Sequence, residues 1–197
     1  MPITINGSGT VTGVSVGGLP DGIVDTDMLA ANAVTAAKRG TGSILQVVTK
    51  KSNSQTSYTD AASQDYTVLT SDAVTVSAGS TLLVFANYHW WMQDDDNTTS
   101  FHGRQYLQRE IGGNDSWSDI RGTGTATFEN SNINPYYLNN RGELTCLNAI
   151  YTHGQSAGSS IKVRIVHRHV SPSNDVDLLV FQRNSNETNL TIMEIAG

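Results

Sequence analysis

The stretch Ser80-Thr81-Leu82-Leu83-Val84-Phe85-Ala86-Asn87-Tyr88-His89-Trp90-Trp91-Met92-Gln93 is the most apolar run in the chain and limits the folds open to it. It is rich in β-branched and aromatic residues. Ala78-Gly79-Ser80 gives a turn signal in front and Asp94-Asp95-Asp96-Asn97 stops it behind, so the pattern predicts a strand rather than a helix. Strand side chains alternate: Leu82, Val84, Ala86, Tyr88, Trp90 and Met92 share one face, and Leu83, Phe85, Asn87, His89 and Trp91 the other. Neither set suits water. An antiparallel strand with one solvated face should alternate cleanly, so this one asks for cover on both sides, from its own core and from a second subunit.

The remaining patterns fit the same class. Strands are predicted at Ile44 to Lys50, Tyr66 to Leu69, Val74 to Ser77 and Phe101 to Ile111. Gly112-Gly113-Asn114-Asp115 turns the last of these into Ser116 to Ile120 as a hairpin. Further strands follow at Tyr136 to Leu138, Leu144 to Thr152, Ser160 to Val170, Asp177 to Arg183 and Asn189 to Ile195. Lys51 to Ser63 reads as a polar crossing anchored by Tyr58, and Gly122 to Asn134 as a surface loop. About nine or ten short strands without a long helix predict an all-β sandwich or jelly roll over residues 44–197.

Residues 1–43 are a different material, with repeated glycines among Val, Thr and Ser and no aromatic residue. Such a segment lacks the side chains to offset its ordering entropy and is expected to order only against another surface. It reads as an extended N-terminal arm. Two short helical turns are predicted in it, at Val24 to Ala31 and Val34 to Lys38, whose Met28, Leu29 and Val34 would attach the arm to a partner or to copies of itself.

Charge and motifs exclude several functions. The net charge is -6 and no Lys or Arg cluster exists, which argues against nucleic acid as a partner. No apolar run approaches the roughly 18 residues of a membrane span, so no membrane insertion is expected, and no secretory signal is visible. No nucleotide loop, HExxH, CxxC or nucleophile elbow occurs, so neither an enzyme nor a cofactor is expected. The single Cys146 sits in an apolar strand pattern and is expected to be a buried thiol.

Quoted together, Ile44-Leu45-Gln46-Val47-Val48, the long strand after Ala78-Gly79-Ser80, and Asn189-Leu190-Thr191-Ile192-Met193-Glu194-Ile195 resemble the jelly-roll knobs of tailed-bacteriophage virion fibres. Those knobs are similar in fold to tumour-necrosis-factor and complement heads. The arm segment Gly18 to Ala30 also resembles the region upstream of such knobs. The resemblance implies a homotrimeric virion structural protein, made in the host cytoplasm, whose arm binds other phage virion proteins. It leaves two roles open, a tail fibre that contacts the host surface and a capsid decoration.

For host contact, the informative residues are aromatics near loops: Trp117 with Asn114 and Asp115 in the hairpin, and Tyr136 and Tyr137 beside Pro135. An aromatic face can stack on a host surface glycan while Asn and Asp bond its hydroxyls; the alternative is that these aromatics pack in the core or the trimer interface. Trp90 and Trp91 carry the same two readings. On Ser160 to Val170, Ile161, Val163, Ile165, His167 and His169 share one face, opposite Lys162, Arg164 and Arg168. In a trimer, His167 and His169 from three copies could form an octahedral metal site, or they are hydrogen-bonded core histidines. Asp94-Asp95-Asp96-Asn97 lacks the Gly and distal Glu of a calcium loop and reads as a solvated turn.

Overall fold

The computed structural model describes residues 4–5, 11–12, 38–61, 64–93, 102–120, 141–170 and 176–197. The chain divides into two units, Met1–Lys38 and Arg39–Gly197. In the first, β1 (Thr4–Ile5) pairs antiparallel with β2 (Val11–Thr12). The predicted helical turns, with Met28, Leu29 and Val34, lie outside the described residues.

The second unit is a β-sandwich. Its strands are β3 (Ile44–Ser52), β4 (Thr56–Ala61), β5 (Asp65–Thr70), β6 (Val74–Thr75), β7 (Thr81–Gln93), β8 (His102–Ile111), β9 (Trp117–Asp119), β10 (Arg141–Thr152), β11 (Ser160–Val170), β12 (Val176–Phe181) and β13 (Thr188–Ile195). All pairs among the described residues are antiparallel. Along one side of β7 runs β10; along the other lie β13, opposite the first half of β7, and β12, opposite its end. In turn β13 pairs with β3, and β12 with β4. Thus β3 with β4, and β12 with β13, are each one strand broken in the middle. In the second sheet β5 and β6 together flank β11, followed by β8 and β9.

With each broken strand taken as one and strands numbered along the chain from β3, the first sheet has the order 1-8-3-6 and the second 2-7-4-5. That interleaving of two Greek keys is the jelly roll, and it meets the all-β expectation.

The core follows the pleat. On β7, Leu82, Val84, Tyr88 and Trp90 are fully enclosed, facing Ile161, Val163 and Ile165 of β11 across the sandwich. Each such side chain contributes roughly 1.5–3 kcal/mol by leaving water. Trp90 Nε1 donates to Thr145 Oγ1 at 3.1 Å, so its one polar atom is satisfied at the layer boundary. Phe181, Tyr66 and Tyr58 close one end, the two tyrosine rings 4.6 Å apart.

Two sequence expectations are corrected. The crossing from Lys51 to Ser63 contains the edge strand β4, since its backbone pairs with β12 while Tyr58 packs against the core. Cys146 is exposed, because the pleat of β10 sends Leu147, Ala149 and Tyr151 inward and the intervening residues out.

Candidate functional site

The hairpin singled out by sequence joins β8 to β9. Gly112 and Gly113 take φ of 82° and 72°, and Asp115 a φ of 54°, backbone that β-branched residues rarely adopt. Asn114 Oδ1 accepts from the Ser116 N–H at 3.0 Å, and the Asp115 N–H donates to Glu110 Oε1 at 3.0 Å. These bonds fix the turn so that Trp117 pairs with Glu110 on the outer face of the second sheet.

Trp117 is half-buried there. The Arg164 guanidinium carbon lies 4.3 Å from its ring centroid and occupies one face of the indole. Arg164 Nε and Nη2 both donate to Gln108 Oε1, at 2.8 and 2.6 Å, and Gln108 Nε2 donates to Asp119 Oδ1 at 3.1 Å. Farther along the face, Arg168 pairs with Asp65 at 2.8 Å and Lys162 with buried Glu110 at 3.5 Å. Burial, and then the neighbouring Asp65 carboxylate, push the Tyr106 hydroxyl well above its ordinary value. Asn114, Asp115 and Trp117 are therefore brought together, while Tyr136 and Tyr137 lie outside the described residues.

The outer face of the first sheet has the opposite character. Register places Val47, Met193, Leu83 and Ile150 side by side in one row across β3, β13, β7 and β10. The adjoining rows are Ile44, Ile195, Thr81 and Thr152 on one side, and Thr49, Thr191, Phe85 and Asn148 on the other. Beyond these, Cys146 stands opposite Asn87 and Leu144 opposite His89. Ile44, Val47, Phe85, Leu144 and Ile150 are 48–65% exposed, and they are all the exposed large hydrophobics among the described residues. On the second face of β7, Phe85 is exposed, Leu83, Asn87 and His89 are half-buried, and Trp91 is buried with its ring under the Arg183 guanidinium at 3.8 Å.

A buried polar cluster escaped sequence reasoning. Ser80, His153 and Glu194 are each at most 2% exposed. His153 Nδ1 accepts from the Gln155 N–H at 3.3 Å, which puts the ring proton on Nε2, 2.8 Å from Ser80 Oγ. Ser80 Oγ donates to Glu194 Oε1 at 2.6 Å, the Ser77 N–H reaches the same oxygen at 2.6 Å, and Gln46 Nε2 donates to Oε2 at 2.6 Å. A nucleophile triad needs the histidine to take the serine proton and the carboxylate to orient the histidine. Here the carboxylate holds the serine directly and the imidazole donates to it, so the trio, together with Gln46, is a clamp joining β3, the β6–β7 turn, the segment just after β10 and β13. Burial works to raise the Glu194 carboxyl, but the donors Gln46, Ser80 and Ser77 outweigh it and hold the group below its ordinary value. Burial lowers His153, against the opposing pull of Glu194.

His167 belongs to the core. It is fully enclosed, its Nδ1 lies 2.9 Å from the Tyr88 hydroxyl, and its ring sits among Trp90, Tyr88 and Phe181. For His169 the strand backbone alone is described. Among the described residues no three His, Cys, Asp or Glu side chains gather as a metal set.

No family model matches the chain, and no curated protein matches it. Among solved structures it is similar to the VP2 subviral particle of infectious bursal disease virus, at 14% identity and a TM-score of 0.34, over 77% of this chain and 38% of that one. The structure of the Gt strain of that virus gives 14% identity and 0.34 over 78% and 38% of the two chains; the Gx strain gives 12% and 0.30 over 73% and 37%. The chain spans less than two fifths of those chains' length. The jelly-roll order rests on the strand pairing described above, independently of this likeness.

Proposed function

We propose that this chain is a virion structural protein: a homotrimeric phage fibre whose jelly-roll knob contacts the host surface and whose N-terminal arm binds other virion proteins. It acts by assembly and adhesion, without catalysis or a cofactor. The observation that carries the reading is a jelly roll on which every exposed large hydrophobic among the described residues collects on one sheet face. The resemblance of the strand and arm sequences to fibre knobs supplies the class.

The contact assigned to host glycan is the β8–β9 hairpin, with Asn114, Asp115 and one face of Trp117; three symmetric weak sites gain strength through avidity. A second reading, a capsid decoration that stabilises the particle, is favoured by the Arg164 guanidinium already seated on the Trp117 ring. Particles lacking the protein separate the two. Loss of adsorption with unchanged heat and osmotic resistance supports the fibre; unchanged adsorption with fragile particles replaces it by decoration. Deleting residues 1–38 should leave a folded knob that no longer joins particles, and incorporation at the normal level would remove the arm from attachment.

A further inference from the structure

We propose that the outer face of the sheet formed by β3, β13, β7 and β10 is the surface through which copies of this chain pack together, with Cys146 enclosed in it. The inference rests on the homotrimer reading above and names the surface that would serve it.

Charge selects a second copy as the occupant. Each copy carries -6, so a contact between copies is least opposed where it brings no further like charges together. The rows led by Ile44, Val47 and Thr49 hold no carboxylate, ammonium or guanidinium group; the next row, which ends at Cys146, begins at Lys51, paired with Glu187 at 2.9 Å. The outer face of the second sheet carries Asp65, Arg168, Arg164 and Lys162. A charged peptide, a nucleic acid or an anionic surface finds no counter-charge on those rows. A copy brings the same neutral ground.

Several polar groups on the face are satisfied within one chain, and covering those costs little desolvation. Thr49 and Thr191 hydroxyls meet at 3.2 Å, as do those of Thr81 and Thr152, and Asn87 Oδ1 accepts from the Asn189 N–H at 3.2 Å. The apolar rows between them gain by burial. At the margin, β10 pairs only with β7 among the described residues, so its outer edge offers backbone groups to a neighbouring chain as well.

Cys146 is the one cysteine of the chain and stands exposed beside Asn148 and Leu144, which makes it a built-in reporter. The test is sedimentation of the full chain, paired with the rate at which Ellman's reagent attacks Cys146. The expected result is an oligomer in which Cys146 reacts about tenfold or more slowly than in the dissociated protein. Phe85→Asp and Ile150→Asp should each weaken association by about a hundredfold or more while the β-sheet circular dichroism is retained. Thr67→Asp, on the opposite sheet, should leave association unchanged.

An oligomer whose Cys146 reacts as fast as in the monomer overturns this surface and leaves the homotrimer reading standing. A monomer at all concentrations overturns both. Should a variant lose its sheet signal, the protection of Cys146 in the unaltered chain decides.

Discussion

The two sheets of the sandwich share one core but end differently at their outer surfaces. The outer face of the second sheet is finished within one chain: Arg164 stacks on Trp117 and bonds Gln108, Arg168 holds Asp65, and Lys162 approaches Glu110. Val166, between Thr67 and Tyr106 in the sheet, is fully covered although it lies outside the core cluster. The outer face of the first sheet has such cover at its margins, where Arg183 lies on Trp91 and Lys51 pairs with Glu187, while Phe85 and Ile150 remain about half open or more. One fold therefore carries a surface adapted to water and another adapted to contact.

The largest expected effect separates the two faces of β7. Leu82→Ala, on the inner face, should destabilise the unit by about 2–5 kcal/mol in chemical denaturation, because a fully enclosed leucine leaves a cavity. A loss under about 1 kcal/mol would mean that the inner face is not the core.

Next comes the clamp that ties the first sheet's strands together. Glu194→Ala strands the donors of Gln46, Ser77 and Ser80 and should cost about 3 kcal/mol. The same cluster sets a pH dependence. Glu194 is depressed in the folded state, so its contribution is present above the ordinary carboxylate value and is lost as pH falls through the lower folded value. His153 and His89 are also depressed, His89 by burial and then by the Arg183 charge, so the unfolded chain takes up their protons first. Denaturation midpoints should thus begin to fall as pH drops below the ordinary histidine value of 6.5 and fall further in the carboxylate range. A flat profile between neutrality and mild acid would remove the histidines from the balance.

A smaller effect sharpens the finished face. Arg164→Ala uncovers Trp117 and should cost about 1 kcal/mol, read together with a change in tryptophan fluorescence. The smallest expected effect lies on the open face, where Ile150→Ser should shift the stability of the dissociated chain by no more than about 0.5 kcal/mol. A loss comparable to Leu82→Ala would show that Ile150 is packed within its own chain.

Much of the fold was legible because β11 alternates except at Val166: Ile161, Val163, Ile165 and His167 go inside, and Lys162, Arg164 and Arg168 outside. β10 was harder, since Leu144, Cys146 and Ile150 form one apolar alternation while Leu147, Ala149 and Tyr151 form another. Which set faces the core depends on the opposite sheet, so Cys146 was misplaced. β4 was missed because an edge strand with one core residue has little period to read, and its partner β12 is far away in sequence. Of the candidate contact site, the turn chemistry of Asn114 and Asp115 was visible, but the guanidinium over Trp117 came from another strand. The clamp had no local signature, as Ser80, His153 and Glu194 meet only through tertiary register.

The place of β13 also bears on how the protein comes into being. β13 follows every other described strand in the chain, yet it lies between β3 and β7 in the interior of its sheet. During synthesis β3 and β7 emerge first with a gap between them, each showing unpaired backbone and apolar side chains to solvent. Closure must wait for β13, which makes acquisition of the native state slow and late, and leaves the nascent chain open to aggregation or chaperone capture until then.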